Sequence, residues 1–408
     1  MAELLASEFK KEMIDLRKDL RKRLGEGGIG NMKLEDFKAG EWKQQYQYKS
    51  FAPEFINKEW TWDDPSTNML LAEANRALGE LNAFSLIVPD IDLFIQMHVA
   101  KEAQTSSRIE GTQTELDEVL MPENQIAVDK RDDWHEIQNY IQAMNESVDA
   151  LKSLPLSNRL LRQAHETMLQ GVRGKHKQPG EFRSSQNWIG GSNLKDAAFI
   201  PPHAQDLPDL MSDLEKFWHN DTVEVPHLIR LAISHYQFET IHPFCDGNGR
   251  VGRLMIPLYL ISHGVLTKPS LYLSDFFERN RASYYDALMQ VRVSNDLVHW
   301  VRYFLNGVLE TATKGRNVFQ QILLLRTETE GKVLTLGRRA ANAQRLLSLL
   351  YRKSIVTAAD ISSFLEISTP TANVLIKEMQ KLGIMKEITG LHRKRAYMFE
   401  PYLKLFFS

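Results

Sequence analysis

The sequence of 408 residues carries 50 Lys and Arg against 52 Asp and Glu, and it has a single cysteine. One cysteine excludes an internal disulfide and argues against a cysteine-based zinc site. No apolar run approaches the about 18 residues of a membrane helix, which excludes a spanning segment. The N-terminal residues reach acidic Glu3 too early for a secretory signal, so we expect a cytoplasmic protein.

Charge is distributed unevenly along the chain. Residues 331–408 contain 13 Lys and Arg but 5 Asp and Glu, whereas the whole chain has a net charge of −2. A basic terminal region on an acidic body favours nucleic acid or another acidic partner.

The first ninety residues predict a region of helices and extended chain. Residues 3–24 have helical periodicity, and a glycine-rich link follows at residues 25–30. Residues 46–62 are rich in aromatic side chains and predict an irregular segment lying over the core. From about Ser66 the pattern is helical, with a short break at residues 88–90.

The next predicted helix runs from Ile91 to about Ile109, and Gly111 is a natural stop for it. Glu110 therefore falls in the last turn, where the helix dipole disfavours an anion and a nearby cation is needed. The alternative is a solvated surface glutamate. Two further helices are predicted within residues 133–170. There, His165 has no second histidine at zinc spacing and is interpreted as structural.

Glycines and prolines punctuate residues 171–203, which predict a β-hairpin or an extended loop. The alternative is an ordinary surface loop. Helical patterns then run from Leu207 to Trp218 and from Val225 to Ile241.

The most informative stretch runs from His242 to Arg253 and reads His-Pro-Phe-Cys-Asp-Gly-Asn-Gly-Arg-Val-Gly-Arg. A histidine can take a proton near neutral pH, and a carboxylate such as Asp246 suits Mg²⁺. Residues 247–249 let backbone N–H groups approach an anion at the start of the following helix. Arg250 lies three residues before Arg253, so both guanidinium groups share one helix face. The stretch predicts a polyphosphate site with a proton acceptor; the alternative is a glycine-rich loop with solvated charges.

The rest of the chain completes a helical core and adds a C-terminal region. A helix through Tyr284 and Tyr285 is predicted, then one from Val298 to Leu309, and residues 316–334 predict a connector. Three helices follow at residues 342–351, 357–365 and 368–379, and then two strands at residues 383–388 and 395–399.

The stretch from His242 closely resembles the signature of the Fic family, H-x-F-x-[DE]-G-N-G-R-x-x-R, and matches it at every fixed position. Members of that family mostly transfer AMP from ATP to a hydroxyl group on a protein. The resemblance implies a mainly α fold, with a helical Fic core and a small β-hairpin flap, over roughly residues 40–315.

The resemblance also implies a role for each residue of the signature. His242 would deprotonate the target hydroxyl, and Asp246 would hold Mg²⁺ on the α and β phosphates. Arg250 would hold the β phosphate and Arg253 the γ phosphate, while Phe244 would anchor the loop in the core. The anion hole and its neighbour complete the ATP-binding residues: Gly247, Asn248, Gly249 and Gly252.

Ser106 and Glu110 fill a pattern, [ST]-x-x-x-E-[GN], that is similar to the inhibitory motif of autoregulated Fic proteins. The resemblance implies that Glu110 pairs with Arg253 and so denies that arginine to the γ phosphate.

Two less specific assignments follow from the same resemblance. Residues from about 180 to 203 would be the flap that positions the target peptide by backbone pairing, with Phe199 and Ile200 as its predicted residues. Tyr284 and Tyr285 would line the adenine pocket, and packing in the core is the alternative for both.

The C-terminal pattern of helices, turn and two strands resembles a winged helix-turn-helix. Its third helix would enter the major groove of DNA, and Arg393 and Lys394 in the basic turn would meet phosphates. The alternative is a module for protein interaction or dimerisation, because Lys377 and Lys381 are the only cations of that helix.

We therefore predict an adenylyltransferase that uses ATP and Mg²⁺ to modify a Ser, Thr or Tyr hydroxyl of a target protein or of itself. Pyrophosphate would leave, and Glu110 would restrain the reaction. Transfer of another phosphate-containing group, removal of AMP by water, and a DNA-binding regulator whose Fic body senses nucleotide remain as alternatives. A homodimer is reasonable by family resemblance.

The predicted organisation has four parts. Residues 1–90 pack on the core, and residues 91–315 form the Fic core. That core includes the inhibitory helix at about 91–111, the flap at about 180–203 and the signature loop at 242–253. Residues 316–334 connect the core to the winged helix at 335–408.

Overall fold

A computed structural model describes residues 31–87, 91–171, 177–390 and 395–407. The helix and glycine-rich link predicted within residues 3–30, the break at residues 88–90, and the basic residues Arg393 and Lys394 lie outside the described residues. Among the residues that are described, every helix is too short or too polar to cross a lipid bilayer.

The chain divides into two compact units that do not follow the predicted linear order of domains. The first unit contains residues up to Leu71, Arg183–Pro243 and Tyr285–Phe304. The second contains Ala72–Phe182, Phe244–Tyr284 and the residues from Leu305 onward. The boundary therefore falls inside the signature stretch, between Pro243 and Phe244.

Short strands begin the first unit, where the sequence pattern predicts only irregular chain. Strand β1 (Asn31–Lys33) pairs in parallel with β4 (Glu59–Thr61), and β2 (Gly40–Gln44) pairs antiparallel with β3 (Lys49–Pro53). Trp42 lies opposite Phe51 in that ladder, with ring centroids 5.2 Å apart. Cross-strand aromatic pairs of this kind stabilise a two-stranded ribbon, which explains the correction.

In the predicted flap of the first unit, Ile189 and Phe199 form an isolated antiparallel β-bridge.

Two helices form the core of the first unit. Leu207–His219 and His227–Ile241 are helical, and every residue from Leu228 to Ile241 is buried. A helix that is buried all round shows no clean amphipathic stripe, so it needs close packing on every side.

Most of the second unit is helical. The helices up to residue 294, numbered in chain order over both units, are α1 (Pro65–Ile87), α2 (Ile91–Ile109), α3 (Leu116–Val119), α4 (Arg131–Ala150), α5 (Asn158–Met168), α6 (Leu207–His219), α7 (His227–Ile241), α8 (Asn248–Ser262), α9 (Ser274–Arg279) and α10 (Arg281–Ser294). Of these, α6 and α7 are the two helices of the first unit described above. Helices α1 and α10 each have residues in both units. The predicted bounds of α2 agree with the structure within one turn.

The connector predicted at residues 316–334 is helical. It is the second half of α11 (Leu297–Leu334), a continuous helix of 38 residues. Its buried positions, among them Val318, Phe319 and Ile322, recur at helical spacing. A charged composition concealed that apolar stripe in the sequence.

The C-terminal residues form helices and a small sheet in the order α12 (Ala340–Arg352), β5 (Ile355–Thr357), α13 (Ala358–Leu365), α14 (Thr369–Lys381), β6 (Lys386–Glu387), β7 (Ala396–Met398) and α15 (Glu400–Phe407). The antiparallel sheet has the strand order β5-β7-β6. Thr357 caps α13 and Ser368 caps α14 through their hydroxyl groups. Strand β5 and helix α15 were not predicted.

The C-terminal residues pack directly on α2 within the second unit. The Phe94 ring lies 5.5 Å from Tyr351 of α12 and 6.1 Å from Tyr402 of α15. Ser354 donates to the Met97 sulfur at 3.7 Å. Helix α2, which ends just before Glu110, is therefore supported by the C-terminal residues.

Candidate active site

His242 ends α7 in a backbone conformation that is uncommon for a residue with a side chain. Its φ of 51° and ψ of 60° lie in the left-handed region, and its N–H donates to the Phe238 carbonyl at 2.9 Å. The His242 carbonyl accepts from Arg183 Nε at 3.0 Å and from Asn187 Nδ2 at 3.1 Å. These donors fix the turn that presents the imidazole, which is half-buried.

Arg183 holds this turn from several directions. Only 2% of its surface is exposed, and it also donates to the carbonyls of Pro202 at 2.6 Å and Ile241 at 3.3 Å. A buried guanidinium needs several acceptors, and four backbone carbonyls at the end of α7 and in the flap supply them, the fourth being that of Ser185 at 3.1 Å. Arg183 could not be identified from the sequence, because most of its partners are distant along the chain.

The second half of the signature opens α8 in the second unit. The Asn248 side chain accepts from the Phe244 N–H and donates to the Phe244 carbonyl, both at 2.8 Å. Gly247 has a φ of 73°, which a side chain would strain. Asp246 is exposed, and its carboxylate accepts from the Gly247 N–H at 2.7 Å. The loop is thus fixed by its own groups before α8 begins.

His165 packs against the same loop. From the sequence it is interpreted as a structural residue, without a specific role. Its ring stacks on Phe244 with centroids 3.8 Å apart. Nδ1 accepts from the Gly180 N–H at 2.9 Å, so Nε2 carries the hydrogen and donates to the Asp246 carbonyl at 3.0 Å. Burial lowers the pKa of His165 to about 4. Because the pKa is this low, the ring is neutral at physiological pH.

The lowered pKa of His165 makes the stability of the folded protein depend on pH. The unfolded chain protonates a histidine near pH 6.5, whereas the folded protein does so only near the lowered pKa of about 4. Stability from His165 is therefore complete above pH 6.5 and is lost as the pH falls toward 4. At pH 5 the loss is about 2 kcal/mol.

We expect His165→Gln, which keeps a donor and an acceptor but does not titrate, to lose less stability than the wild type between pH 7.5 and pH 5. Urea unfolding at both pH values measures the difference. His219→Gln, at an exposed position, is the matched control and should follow the wild type. Equal pH dependence of wild type and His165→Gln would contradict the lowered pKa of the buried His165 ring.

Both signature arginines are buried and paired with carboxylates. Arg250 is 5% exposed, and its Nη1 lies 3.3 Å from Glu136 Oε2 on α4. Arg253 is 2% exposed and donates from Nη2 to Glu110 Oε1 at 2.7 Å. It also donates to Ser106, from Nε to the hydroxyl at 2.9 Å and from Nη2 to the carbonyl at 2.8 Å. The structure thus brings both residues of the predicted inhibitory motif onto Arg253.

The Glu110 carboxylate lies against the first turn of α8. A Cβ atom added to Gly249 would lie 2.3 Å from Glu110 Oε1 and 2.8 Å from Arg253 Nη1. Anions bind at helix N-termini because the first N–H groups lack partners within the helix and the dipole favours negative charge. The Glu110 carboxylate therefore lies beside Gly249 at a helix N-terminus, a kind of position that favours anions.

A buried glutamate, Glu102, lies close enough to Arg253 for the two charges to interact. Glu102 on α2 is 3% exposed and accepts from Tyr140 at 3.1 Å and from Ser274. Burial raises its pKa to about 7, while the Ser274 hydrogen bond and the charge of Arg253 oppose that rise. Glu102 could not be identified from the sequence, since a lone glutamate on a helix shows no signal of its partners.

Three other residues were predicted for the ATP site, namely Tyr284, Tyr285 and Gly252. Tyr284 is 1% exposed and stacks on Phe277 at 4.4 Å in the second unit, so it packs in the core. Tyr285, in the first unit, is 41% exposed. Gly252 is buried within α8.

The predicted flap residues are buried as well. Phe199 is 1% exposed, and its N–H and carbonyl both bond to Ile189. The Ile200 carbonyl accepts from the Phe51 N–H at 2.9 Å. These backbone groups are already used, so a target strand would have to pair with other atoms of the flap. Arg292 lies 4.0 Å from the Phe199 ring and donates to the Glu239 carbonyl, which supports the last turn of α7.

Comparison with family models gives two matches. Residues 68–149 match the Fic/DOC family N-terminal model, and residues 155–260 match the Fic/DOC family model. The second match contains the whole signature stretch. The first contains Ser106, Glu110 and most of α4.

Curated relatives match part of the chain. Protein adenylyltransferase Fic of Culex quinquefasciatus is 36% identical over 125 residues, which are 30% of this chain and 22% of that protein. Protein adenylyltransferase Fic of Drosophila mojavensis is 31% identical over 163 residues, 38% of this chain and 29% of that protein. The chain thus spans less than a third of the length of these relatives.

A solved structure supports the fold over a longer range. A Fic family protein from Desulfovibrio desulfuricans G20 superposes with a TM-score of 0.52 at 19% identity, covering 83% of this chain and 96% of that one. This likeness establishes the mainly α architecture. The two family matches show a Fic/DOC N-terminal region at residues 68–149 and a Fic domain at residues 155–260 of this chain.

Proposed function

We propose that this protein transfers AMP from ATP to a hydroxyl group of a protein. The observation that carries the proposal is the pair of buried arginines, each held by a carboxylate, beside a glycine-lined helix N-terminus. Two buried guanidinium groups suit a polyphosphate, because its anionic phosphates can replace the carboxylates that the arginines bind here. The curated relatives carry the name protein adenylyltransferase Fic, which agrees with this assignment.

In the proposed reaction, His242 accepts the proton of the target hydroxyl. The hydroxyl oxygen forms a bond to the α phosphorus of ATP, and the bond from that phosphorus to the oxygen bridging the α and β phosphates breaks. Pyrophosphate leaves with the electron pair of that bond. Arg250 and Arg253 bind the β and γ phosphates, so they stabilise the charge that develops on the leaving group. Gly247, Asn248 and Gly249 supply the anion-binding turn.

Asp246 fits the Mg²⁺ that this reaction requires. Its carboxylate is exposed and near the start of α8, and Lys177 Nζ, 4.0 Å from Oδ2, is its nearby cation. Mg²⁺ in nucleotide sites is commonly held by one or two carboxylates with substrate phosphates and water, so a single acidic ligand is sufficient. The ion would neutralise phosphate charge and orient the α phosphate.

We propose that Glu110 inhibits the reaction in the described state. Its carboxylate occupies Arg253 and the place beside Gly249 that the γ phosphate needs. Ser106 holds the same guanidinium through its hydroxyl and carbonyl, so α2 engages Arg253 at two points. Tyr285 remains the candidate for the adenine pocket, because it is partly exposed whereas Tyr284 is not.

Labelled nucleotides distinguish the proposal from its enzymatic alternatives. With α-labelled ATP the acceptor protein should become radioactive, and with γ-labelled ATP it should not. Label from the γ position would instead indicate phosphorylation. Release of AMP from protein that was modified beforehand would reveal that water, oriented by Glu110, can reverse the modification.

A second function, DNA binding, is favoured by the surface of α14 in the proposed winged-helix domain at residues 335–408. Leu375, Ile376 and Met379 are buried, whereas the opposite face exposes polar side chains. That face contains Asn373, Lys377, Gln380 and Lys381. Amide side chains read adenine, and lysines contact phosphates or guanine.

We expect the double variant Lys377→Ala/Lys381→Ala to weaken DNA binding and to lower the slope of log affinity against log salt by about two. Gel shifts with genomic DNA fragments at several salt concentrations measure both values. Lys332→Ala, a lysine of α11 paired with Glu328, is the control. Absence of any salt-dependent shift with the wild type would exclude this function.

A further inference from the structure

A small cavity in the second unit contains buried polar groups that lack partners. It lies among α2, the segment that leads into α9, α11 and α15, and its volume is about 70 Å³. A water-sized probe occupies about 10–15 Å³, so the cavity has room for several non-hydrogen atoms. It is separate from the arginines of the signature, which do not line it.

Three polar atoms at this cavity have no hydrogen-bond partner among the residues that the structure describes. They are the Ser270 hydroxyl, the Tyr272 hydroxyl and Nε2 of His98. Ser270 is 3% exposed and Tyr272 is 7% exposed. Burying a polar group without a partner costs about 1–3 kcal/mol, so three such atoms around one cavity favour an occupant that supplies hydrogen-bond partners.

The charges around the cavity favour an anion. Asp275 is shared by Lys314 at 3.2 Å, Lys101 at 3.9 Å and Arg279 at 3.3 Å. Three cations thus share one carboxylate, although Arg279 also pairs with Glu310 at 2.7 Å. Burial lowers the pKa of Lys101, Asp275 opposes that shift, and the neighbouring cations add to it.

His98 and Glu102, which also line the cavity, each carry less than a full charge near pH 7, and the raised pKa of Tyr272 keeps its hydroxyl neutral. Burial lowers the pKa of His98 to about 4, so its ring is neutral at pH 7. Burial raises the pKa of Glu102 to about 7, which leaves that carboxyl partly protonated. The local excess of positive charge therefore persists near neutral pH.

Apolar side chains complete the cavity. Val318 on α11 and Leu405 and Phe406 on α15 line it. The Phe406 ring lies 5.1 Å from the His98 ring, and the Phe406 carbonyl accepts from Lys101. An occupant thus meets both cationic and hydroxyl groups and an apolar wall.

From these groups we propose that the cavity binds a small organic carboxylate. Its carboxylate accepts from the lysines and the hydroxyl groups of Ser270 and Tyr272, and its short carbon chain packs on Phe406 and Val318. The volume limits the ligand to a few carbon atoms. Inorganic anions satisfy the charge but leave the apolar wall without contacts.

The cavity has a position suited to regulation. Lys101 and Glu102 are cavity residues on α2, the same helix that carries Ser106 and ends before Glu110. A ligand there contacts the helix that places the inhibitory glutamate on Arg253. This consequence, unlike the binding itself, rests on the proposed function.

Propionate is the probe for binding, measured on the full chain by isothermal titration calorimetry at constant ionic strength. We expect saturable binding at one site, and at least tenfold weaker binding of propionamide, which has the same shape without the charge. Lys314→Met should also weaken propionate binding at least tenfold, and Ser270→Ala should weaken it without removing a charge. Lys268→Met, a surface lysine paired with Asp92, is the matched control and should bind normally.

The outcomes separate the binding site from the proposed function. No saturable heat with propionate, equal affinity for propionamide, or normal affinity in both Lys314→Met and Ser270→Ala would overturn the site, whatever the enzymatic activity. Circular dichroism and thermal unfolding identify a variant that fails to fold, and the other variant then decides. If propionate binds, its effect on AMP transfer should appear in wild type and be absent in Glu110→Gly; an equal effect in both would overturn the link to Glu110.

Discussion

Glu110→Gly is expected to raise the rate of AMP transfer by about ten- to hundredfold. The wild-type carboxylate holds Arg253 at 2.7 Å and lies where a Cβ on Gly249 would be 2.3 Å away. Glycine removes both obstacles to the γ phosphate. A hydrogen bond to a charged group contributes about 1.5–3 kcal/mol, which corresponds to a factor of about 10–150.

Nucleotide binding provides a sharper test of the same variant. Only ATP has a γ phosphate to compete with Glu110, so Glu110→Gly should increase affinity for ATP but leave affinity for ADP nearly unchanged. Calorimetric titration of both nucleotides measures this. Glu115→Gln is the matched control, because Glu115 pairs with exposed Arg108 and not with Arg253. An unchanged rate and an unchanged ATP affinity would show that the Glu110–Arg253 contact does not inhibit.

His242→Ala, tested in the Glu110→Gly background, is expected to reduce AMP transfer by about 10²–10⁴-fold, the contribution of a general base. Affinity for ATP should remain, because the proposed phosphate ligands are Arg250, Arg253 and the turn before α8. Transfer rates and ATP titrations of the double variant measure the two effects separately. The matched control is His219→Ala at an exposed end of α6.

Persistent modification in the variant without His242 would contradict the role of general base. Loss of ATP affinity together with activity would instead indicate that His242 acts by supporting the loop. The second outcome is a genuine alternative, because the left-handed backbone at His242 depends on bonds from Arg183 and Asn187. Alanine keeps those backbone acceptors, so we expect the turn to survive.

The residues that carry chemistry could be predicted because they are close together in the sequence. Asp246, Arg250 and Arg253 fall on a loop and the helix that follows, where spacing alone places both guanidinium groups on one face. Glu110 was predicted from a different signal. An acid at the end of a helix indicates only a nearby cation, and the pairing with Arg253 was implied by the resemblance to the inhibitory motif.

The residues that hold this chemistry in place could not be predicted. Arg183 reaches the His242 carbonyl across 59 residues, and His165 reaches the Asp246 carbonyl across 81. Glu102 meets Ser274 across 172 residues. Each is an ordinary residue within its own segment, and only tertiary packing shows that it is buried with these partners.

The elements of the fold also differ in whether nearby or distant residues define them. Helix α2 and the capped helices α13 and α14 have strong local patterns and were predicted with close bounds. Strands β2 and β3 need each other, since the Trp42–Phe51 pair that stabilises them is formed only when the chain folds back. The three-residue strand β5 is likewise defined by its pairing with β7.

The most direct test of the central claim is incorporation of label from α-³²P ATP in the presence of Mg²⁺, with cell extract supplied as a source of targets. The proteins to compare are wild type, Glu110→Gly and Glu110→Gly/His242→Ala. Our account predicts strong labelling with Glu110→Gly, weak labelling with the wild type and almost none with the double variant. Equal labelling by Glu110→Gly and the double variant, or no label with any of them, would contradict it.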